Sequence, residues 1–408
     1  MRAMSERDDE RTELSTTMRA GRFGPYRVLD SLGRGGMGEV HLAVHTPSEG
    51  IDRLVALKRL RPDLGADKRF ARMFLDEMRI ATRVSHPNVC RVLDAGRIDG
   101  VAYLAMDLLV GMPLSEVVAH ARASSDALLH ESWPLVVARI GADACEGLHA
   151  AHELRDEKGA LLGVVHRDVS PDNLFVGFDG VTRVIDFGIA GAREKLHRTA
   201  TGELRGKIAY ASPERLADQP ADRRTDVFSL GAVLWEAIAL RPLFPHGDPA
   251  AAMRAIRQGL VPPLRDVRPD VPLDLDAIVA QALAVDPARR FPTTRAMGEA
   301  LLEVMSTEGR AVGAPHVAAW MDRLFAGAHE RQERLASHAL SVPTDPSARV
   351  AAASKVASAT RPIAQEQGTR PALSTTLSMR DPRMTLLAGA ALIAGLGLGL
   401  GLGIWLAG

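Results

Sequence analysis

The chain has 408 residues, 46% apolar and 25% charged, and its 50 basic side chains are balanced by 50 acidic ones. That length has room for two or three domains of about 100–200 residues each, and zero formal charge supplies no global basic field for a nucleic-acid partner. The two cysteines, Cys90 and Cys145, lack C-x-x-C spacing, which argues against a disulfide framework or a zinc site and suits a reducing compartment.

Residues 1–22 are polar, without aromatics or an apolar run, and read as a flexible leader rather than a secretory signal. Residues 26–32 alternate like a strand and run into Gly33, Arg34, Gly35, Gly36, Met37 and Gly38. In a dinucleotide-binding unit such glycines would open a helix. Here residues 40–44 continue as strand, and a third apolar strand, Val55, Ala56 and Leu57, ends in Lys58. Glycines in a strand-turn-strand let backbone N–H groups close over phosphates without Cβ obstruction. A lysine at a strand end needs an acidic partner, and a predicted helix over 70–83 offers Asp76 and Glu77.

Residues 101–109 form an apolar strand, residues 133–154 a long helix, and residues 155–163 a polar hairpin. Then Val164 and Val165 bring the chain into a polar loop that Leu174, Phe175 and Val176 leave as a buried strand. Buried polar side chains need partners, so this loop belongs at a site. Asp168 and Asn173, five residues apart, can aim a carboxylate and an amide into one cleft. A strand over 181–185 delivers Asp186, Phe187 and Gly188. A polar stretch to Glu214 carries Thr199 and Thr201, and Asp226 stands where it could cap a helix running to Leu240.

Further on, Val317, Trp320, Met321, Leu324 and Phe325 fall at helical spacing, predicting one amphipathic helix within 306–339. Residues 340–383 hold five prolines and eleven Ser/Thr but no aromatic, the composition of a disordered linker. Residues 384–408 carry no charge over 25 positions, against the roughly 20 that cross a bilayer. We expect one transmembrane helix at 384–407, a lipid-bilayer partner and an inner-membrane, single-pass location. Arg380 and Arg383 precede the run, which puts the preceding domain in the cytoplasm. Gly395, Gly399 and Gly403 make a small-residue face that suits a homodimer.

The H-R-D at 166–168 with Asn173, the V-A-L-K at 55–58 and the D-F-G at 186–188 resemble the signature of protein kinases. Over about residues 23–305 the chain resembles a bacterial eukaryotic-like (Hanks-type) serine/threonine protein kinase. The resemblance implies an α+β bilobal fold, with a β-rich N-lobe over 23–106 and a mainly helical C-lobe over 110–305. It implies ATP and Mg2+ as cofactors and protein Ser/Thr hydroxyls as acceptors. Lys58 would grip the phosphates and be held by Glu77, whose nine-residue spacing to His86 matches the family, with Asp76 the alternative. Leu32, Gly33, Arg34, Gly35, Gly36, Met37 and Gly38 would cover the nucleotide. Val40 and Ala56 from above and Phe175 from below would sandwich adenine, beside the gatekeeper Met106 and the backbone of Asp107 to Leu109. Asp168 would be the base, with Asn173 and Asp186 holding two metal ions. Thr199 and Thr201 are candidate phosphosites that could pair with Arg167. Asp226 would bond the catalytic-loop backbone, and Arg290 would pair with Glu214.

Two departures stand out. Ser170 replaces the lysine usual two residues after the base, and Gly206 and Lys207 occupy a region where threonine is usual. Lys207 is expected to return the lost charge near Asp168. Ser170 is also the one feature favouring a nucleotide-binding pseudokinase scaffold. A small-molecule kinase of similar fold is disfavoured by the threonine-bearing segment.

Overall fold

Period-two alternation, not overall apolarity, sorts the N-terminal strands into a core face and a site face. The computed structural model describes residues 21–35, 38–47, 51–61, 78, 80–187, 208–309 and 312–341. Outside these lie the predicted site positions Gly36, Met37, Asp76, Glu77, Gly188, Thr199, Thr201 and Lys207, and the segments 1–20 and 342–408. Strands β1 (Arg22–Phe23), β2 (Tyr26–Gly35), β3 (Gly38–His45), β4 (Arg53–Leu60), β5 (Val92–Ile98) and β6 (Val101–Asp107) form one sheet, ordered β1-β2-β3-β4-β6-β5. All its pairs are antiparallel. Opposed residues share a face. Ala43 opposite Val55 and Leu57 opposite Ala105 therefore enter a small core with Tyr26, Val28 and Tyr103. The other parity, Val40 opposite Lys58 and Ala56 opposite Met106, presents the predicted nucleotide residues together. The Tyr26 and Tyr103 hydroxyls both donate to Asp94 Oδ2, at 2.8 and 2.6 Å, and tie β2 to β5 and β6.

The second lobe starts at β7 (Gly111–Pro113), which pairs with β8 (Leu174–Gly177) and, through it, with β9 (Thr182–Val184). Helices α1 (Leu114–Ala123), α2 (Ala127–His152), α3 (Arg224–Ala239), α4 (Pro249–Gln258), α5 (Leu273–Ala282) and α6 (Thr294–Thr307) belong to this lobe, with α1 against β7 and β8 and α2 against β9. Helix α2 begins earlier than the expected residue 133 and carries Pro134 inside. Helix α3 is buried on almost every side, and the Trp133 indole donates to Ala237 O at 2.7 Å near its end. An apolar helix without a polar face belongs in the middle of its lobe.

Beyond residue 311 the expected single helix is two, α7 (Ala314–Leu324) and α8 (Ala328–Ser341). The break has a local cause: Phe325 leaves helical geometry and Gly327 turns the chain at φ +71°. Trp320 of α7 stacks on Trp133, with centroids 4.8 Å apart, so this extension is seated on the lobe rather than appended loosely.

Glu214 and Arg290 form a two-pronged ion pair with both contacts at 2.9 Å, and the Arg290 side chain is fully buried. Thr225 Oγ1 also donates to Glu214. Burial opposes ionisation of Glu214, but the Arg290 hydrogen bonds outweigh it and hold the pKa below the ordinary glutamate value. A depressed carboxylate stabilises the fold above its unfolded pKa, and the stabilisation is lost as pH falls through the folded one. Arg290→Met leaves a carboxylate buried without its cation, and should cost about 3–5 kcal/mol by urea unfolding at neutral pH. The cost should shrink as pH falls, because Glu214 without its cation, still buried, takes up a proton at a higher pH than the paired wild-type carboxylate does.

Candidate active site

A carboxylate with no solvent exposure organises the polar loop after α2. Asp226, in the first turn of α3, accepts from the backbone N–H of His166 and of Arg167, both at 2.8 Å. The His152 ring donates to its Oδ2 from Nε2, also at 2.8 Å. Arg223, not Asp226, holds the helix N-cap position, so the capping expectation is corrected: three outside donors claim the carboxylate. Burial raises its pKa, but these donors and the nearby histidines overcome that and keep it below the usual aspartate value. The grip matters because Arg167 sits at φ +62°, a left-handed conformation that a side-chain-bearing residue adopts at a cost of about 1–2 kcal/mol.

From this anchor the loop knits itself to the D-F-G strand. His166 Nδ1 accepts from Asp168 N at 3.2 Å, and its Nε2 donates to Ile185 O at 3.0 Å, which specifies the Nε2–H tautomer. Ile185 N in turn donates to Asn173 O at 3.0 Å. Asn173, buried in a short 3-10 turn, donates from Nδ2 to Asp168 O at 2.6 Å and Asp168 Oδ2 at 3.1 Å. That orientation leaves Asn173 Oδ1 out of both bonds. Asp186 follows at φ +61° and meets Lys58 Nζ at 2.9 Å, across from the other lobe. Lys58 is only 2% exposed, so its charge needs that partner. The structure thus brings Lys58, Asp168, Asn173 and Asp186 into one cleft. An amide oxygen and a carboxylate are the hard donors that suit magnesium, which completes its shell with water and phosphate. The residues fit the implied group.

The residues expected beside adenine converge as well. Leu109 and Phe175 cluster with Cys90 and Ile185, and Met106 packs against them. Val40 and Ala56 are buried on the sheet face above. Among the described residues, the peptide groups of Leu108 and Leu109 make no hydrogen bond, so they remain for a ligand edge. Cys90 and Ile185 are wall residues that sequence reading missed. Their signal was position alone, Cys90 two residues after Asn88 and Ile185 just before Asp186. Burial pushes the Cys90 thiol pKa far up, so it serves as an apolar wall and not as a nucleophile.

The glycine loop divides in role. Gly38 is a packing glycine: a Cβ there would collide with the Arg59 carbonyl oxygen. Gly33 and Arg34 pair with Val40 and Glu39, and Leu32 falls at the register shift between Ser31 and Gly33, a bulge that turns the strand end. Ser170 is buried, and among the described residues its hydroxyl has no hydrogen-bond partner. It does not replace the missing cation.

The comparisons agree with this geometry. The protein kinase domain family matches residues 26–302. The chain belongs to the protein kinase family. It is 38% identical over 305 residues to the tyrosine-protein kinase MasK of Myxococcus xanthus, covering 74% of this chain and 46% of that one. It is 34% identical to the serine/threonine-protein kinase PknE of Mycobacterium tuberculosis, covering 70% and 47%. It is 35% identical to PknB of Mycolicibacterium smegmatis, covering 72% and 44%. The chain therefore spans less than half the length of these relatives. Among solved structures, the PknI kinase domain of Mycobacterium tuberculosis superposes with a TM-score of 0.52 at 29% identity, over 70% of this chain and 97% of that one. Family membership implies ATP and a divalent metal.

Asp226→Asn keeps the shape but offers one acceptor oxygen where three donors converge. It should lower kcat about 100-fold by loosening Asp168, while KM for ATP stays within about three-fold, in steady-state kinetics. A raised KM for ATP with kcat unchanged would move the residue's role to nucleotide binding.

Proposed function

We propose that this kinase transfers the γ-phosphate of ATP, with Mg2+, to Ser/Thr hydroxyls of proteins, itself among them. The observation that carries the reading is the hydrogen-bonded chain from Lys58 through Asp186, Ile185 and Asn173 to Asp168. Bound MgATP supplies the phosphoryl group and part of the charge neutralisation. Lys58 holds the α/β-phosphates, Asn173 Oδ1 and the Asp186 carboxylate hold the metal, and Asp168 orients the acceptor hydroxyl and takes its proton. The pseudokinase reading is not favoured, since Lys58, Asp168, Asn173 and Asp186 all stand at the cleft. Ser170 in place of the usual lysine, together with the likeness to the tyrosine-protein kinase MasK, favours tyrosine as a second acceptor class. We also assign residues 384–407 as a membrane anchor with the kinase on the cytoplasmic side, on the strength of 25 uncharged residues behind Arg380 and Arg383. That run lies outside the described residues, among which no helix is long and apolar enough to cross a membrane. Its glycine face supports pairing of two copies.

With γ-labelled ATP, the full chain should label itself on serine and threonine, and Asp168→Asn should lose about 10²–10⁴-fold of that rate. Undiminished labelling of Asp168→Asn rules out the assigned base, and phosphotyrosine alone in a phosphoamino-acid analysis transfers the acceptor class. For the anchor, the full chain should sediment with membranes and resist a high-salt wash, while a chain ended at residue 383 stays in the supernatant. A full chain released by salt removes the anchor.

A further inference from the structure

Helix α8 lies beyond the last residue matched by the kinase family, yet it touches both lobes. It packs against β4 of the N-lobe, and its Gln332 reaches the strand that follows the hinge. The face it buries is built from Ala328, Gln332 and Ala339, with Ala336 partly buried between them. Spacings of four and three put these on one stripe, and alanines let the helix backbone come close. One long amide on an alanine stripe is costly to bury unless its polar atoms are met. Gln332 is only 1% exposed, and both its polar atoms are met by a single residue. Gly111 N donates to Gln332 Oε1 at 3.0 Å, and Gln332 Nε2 donates to Gly111 O at 3.2 Å. A carboxamide thereby pairs with one residue's N–H and C=O as a neighbouring strand would.

Gly111 is a stringent place for such a grip. Its φ is +155°, and a Cβ there would collide with Val176 O of the neighbouring strand. On the other side, Phe178 N donates to Val110 O at 3.2 Å, and Phe178 stacks on His329 of α8 with centroids 4.9 Å apart. Residues 110 and 111 are thus pinned from β8 and from α8, immediately after the Asp107–Leu109 backbone assigned to adenine.

We propose that Gln332 is a positioning residue for the nucleotide: its carboxamide fixes the Gly111 peptide, and through it the hinge backbone that takes the adenine edge. This rests on the kinase reading above. In the full chain, Gln332→Leu keeps the volume and deletes the two hydrogen bonds to Gly111. Gln332→Glu keeps an acceptor for Gly111 N–H but sets an oxygen against Gly111 O. Both should raise KM for ATP roughly five-fold or more with kcat at saturating ATP within two-fold, and should speed hydrogen exchange at the Gly111 amide by a similar factor. Leu335→Ala, on the exposed face of the same helix, should change neither. A fall in melting temperature with KM for ATP and Gly111 exchange unmoved would make Gln332 a packing residue and overturn the proposal. If Gln332→Leu does not fold, Gln332→Glu supplies the same comparison. If the wild type turns over no ATP, the kinase reading fails separately, and the exchange rates still decide whether the grip exists.

Discussion

One buried carboxylate sets the geometry on which the rest of the cleft depends. Asp226 has no exposure to solvent, and two backbone N–H groups and one imidazole donate to it instead. Removing any of them would leave charge unsolvated in a low-dielectric interior, so the loop cannot relax away from α3 cheaply. That constraint holds Arg167 in a left-handed conformation it would otherwise leave, and so directs Asp168 into the cleft. The helix supplying Asp226 is itself held by the Glu214–Arg290 pair, because Arg290 also donates to Arg224 O at the start of α3. Stability and reactivity meet in one network.

The two lobes reach the cleft by different physics. In the N-lobe, alternation and register do the work: Lys58 shares a sheet face with Val40 and Ala56 because the strand period is two. In the C-lobe, irregular backbone carries the polar groups, and hydrogen bonds between loops take the place of a ladder. The Lys58–Asp186 ion pair joins the two arrangements inside the cleft, and α8 joins them from outside, against β4 on one side and at Gly111 on the other.

Much of this was legible in the sequence because kinase chemistry demands particular side chains at particular strand ends and loop positions. Lys58 at the end of an apolar strand, Asp168 and Asn173 in one loop, and Asp186 after another strand announce themselves by type and spacing. The Glu214–Arg290 pair came from resemblance, since nothing local links residues 76 positions apart. Cys90 and Ile185 were not legible as pocket walls, because an apolar residue facing a ligand and one facing the core look alike in a string of letters. Gly38 invited a phosphate reading, while the space it vacates belongs to the Arg59 carbonyl. The break at Gly327 was missed because the helical periodicity before it gave no reason to look for an end.

Residue type and local order were enough to point to a protein kinase and to pick out Lys58, Asp168, Asn173 and Asp186, since those follow from short-range pattern and chemistry. Folding alone made Cys90 a wall and set Gln332 against Gly111 across 221 positions of chain. Such pairings depend on which surfaces meet when apolar faces pack. That is a property of the whole chain, and no window of sequence carries it.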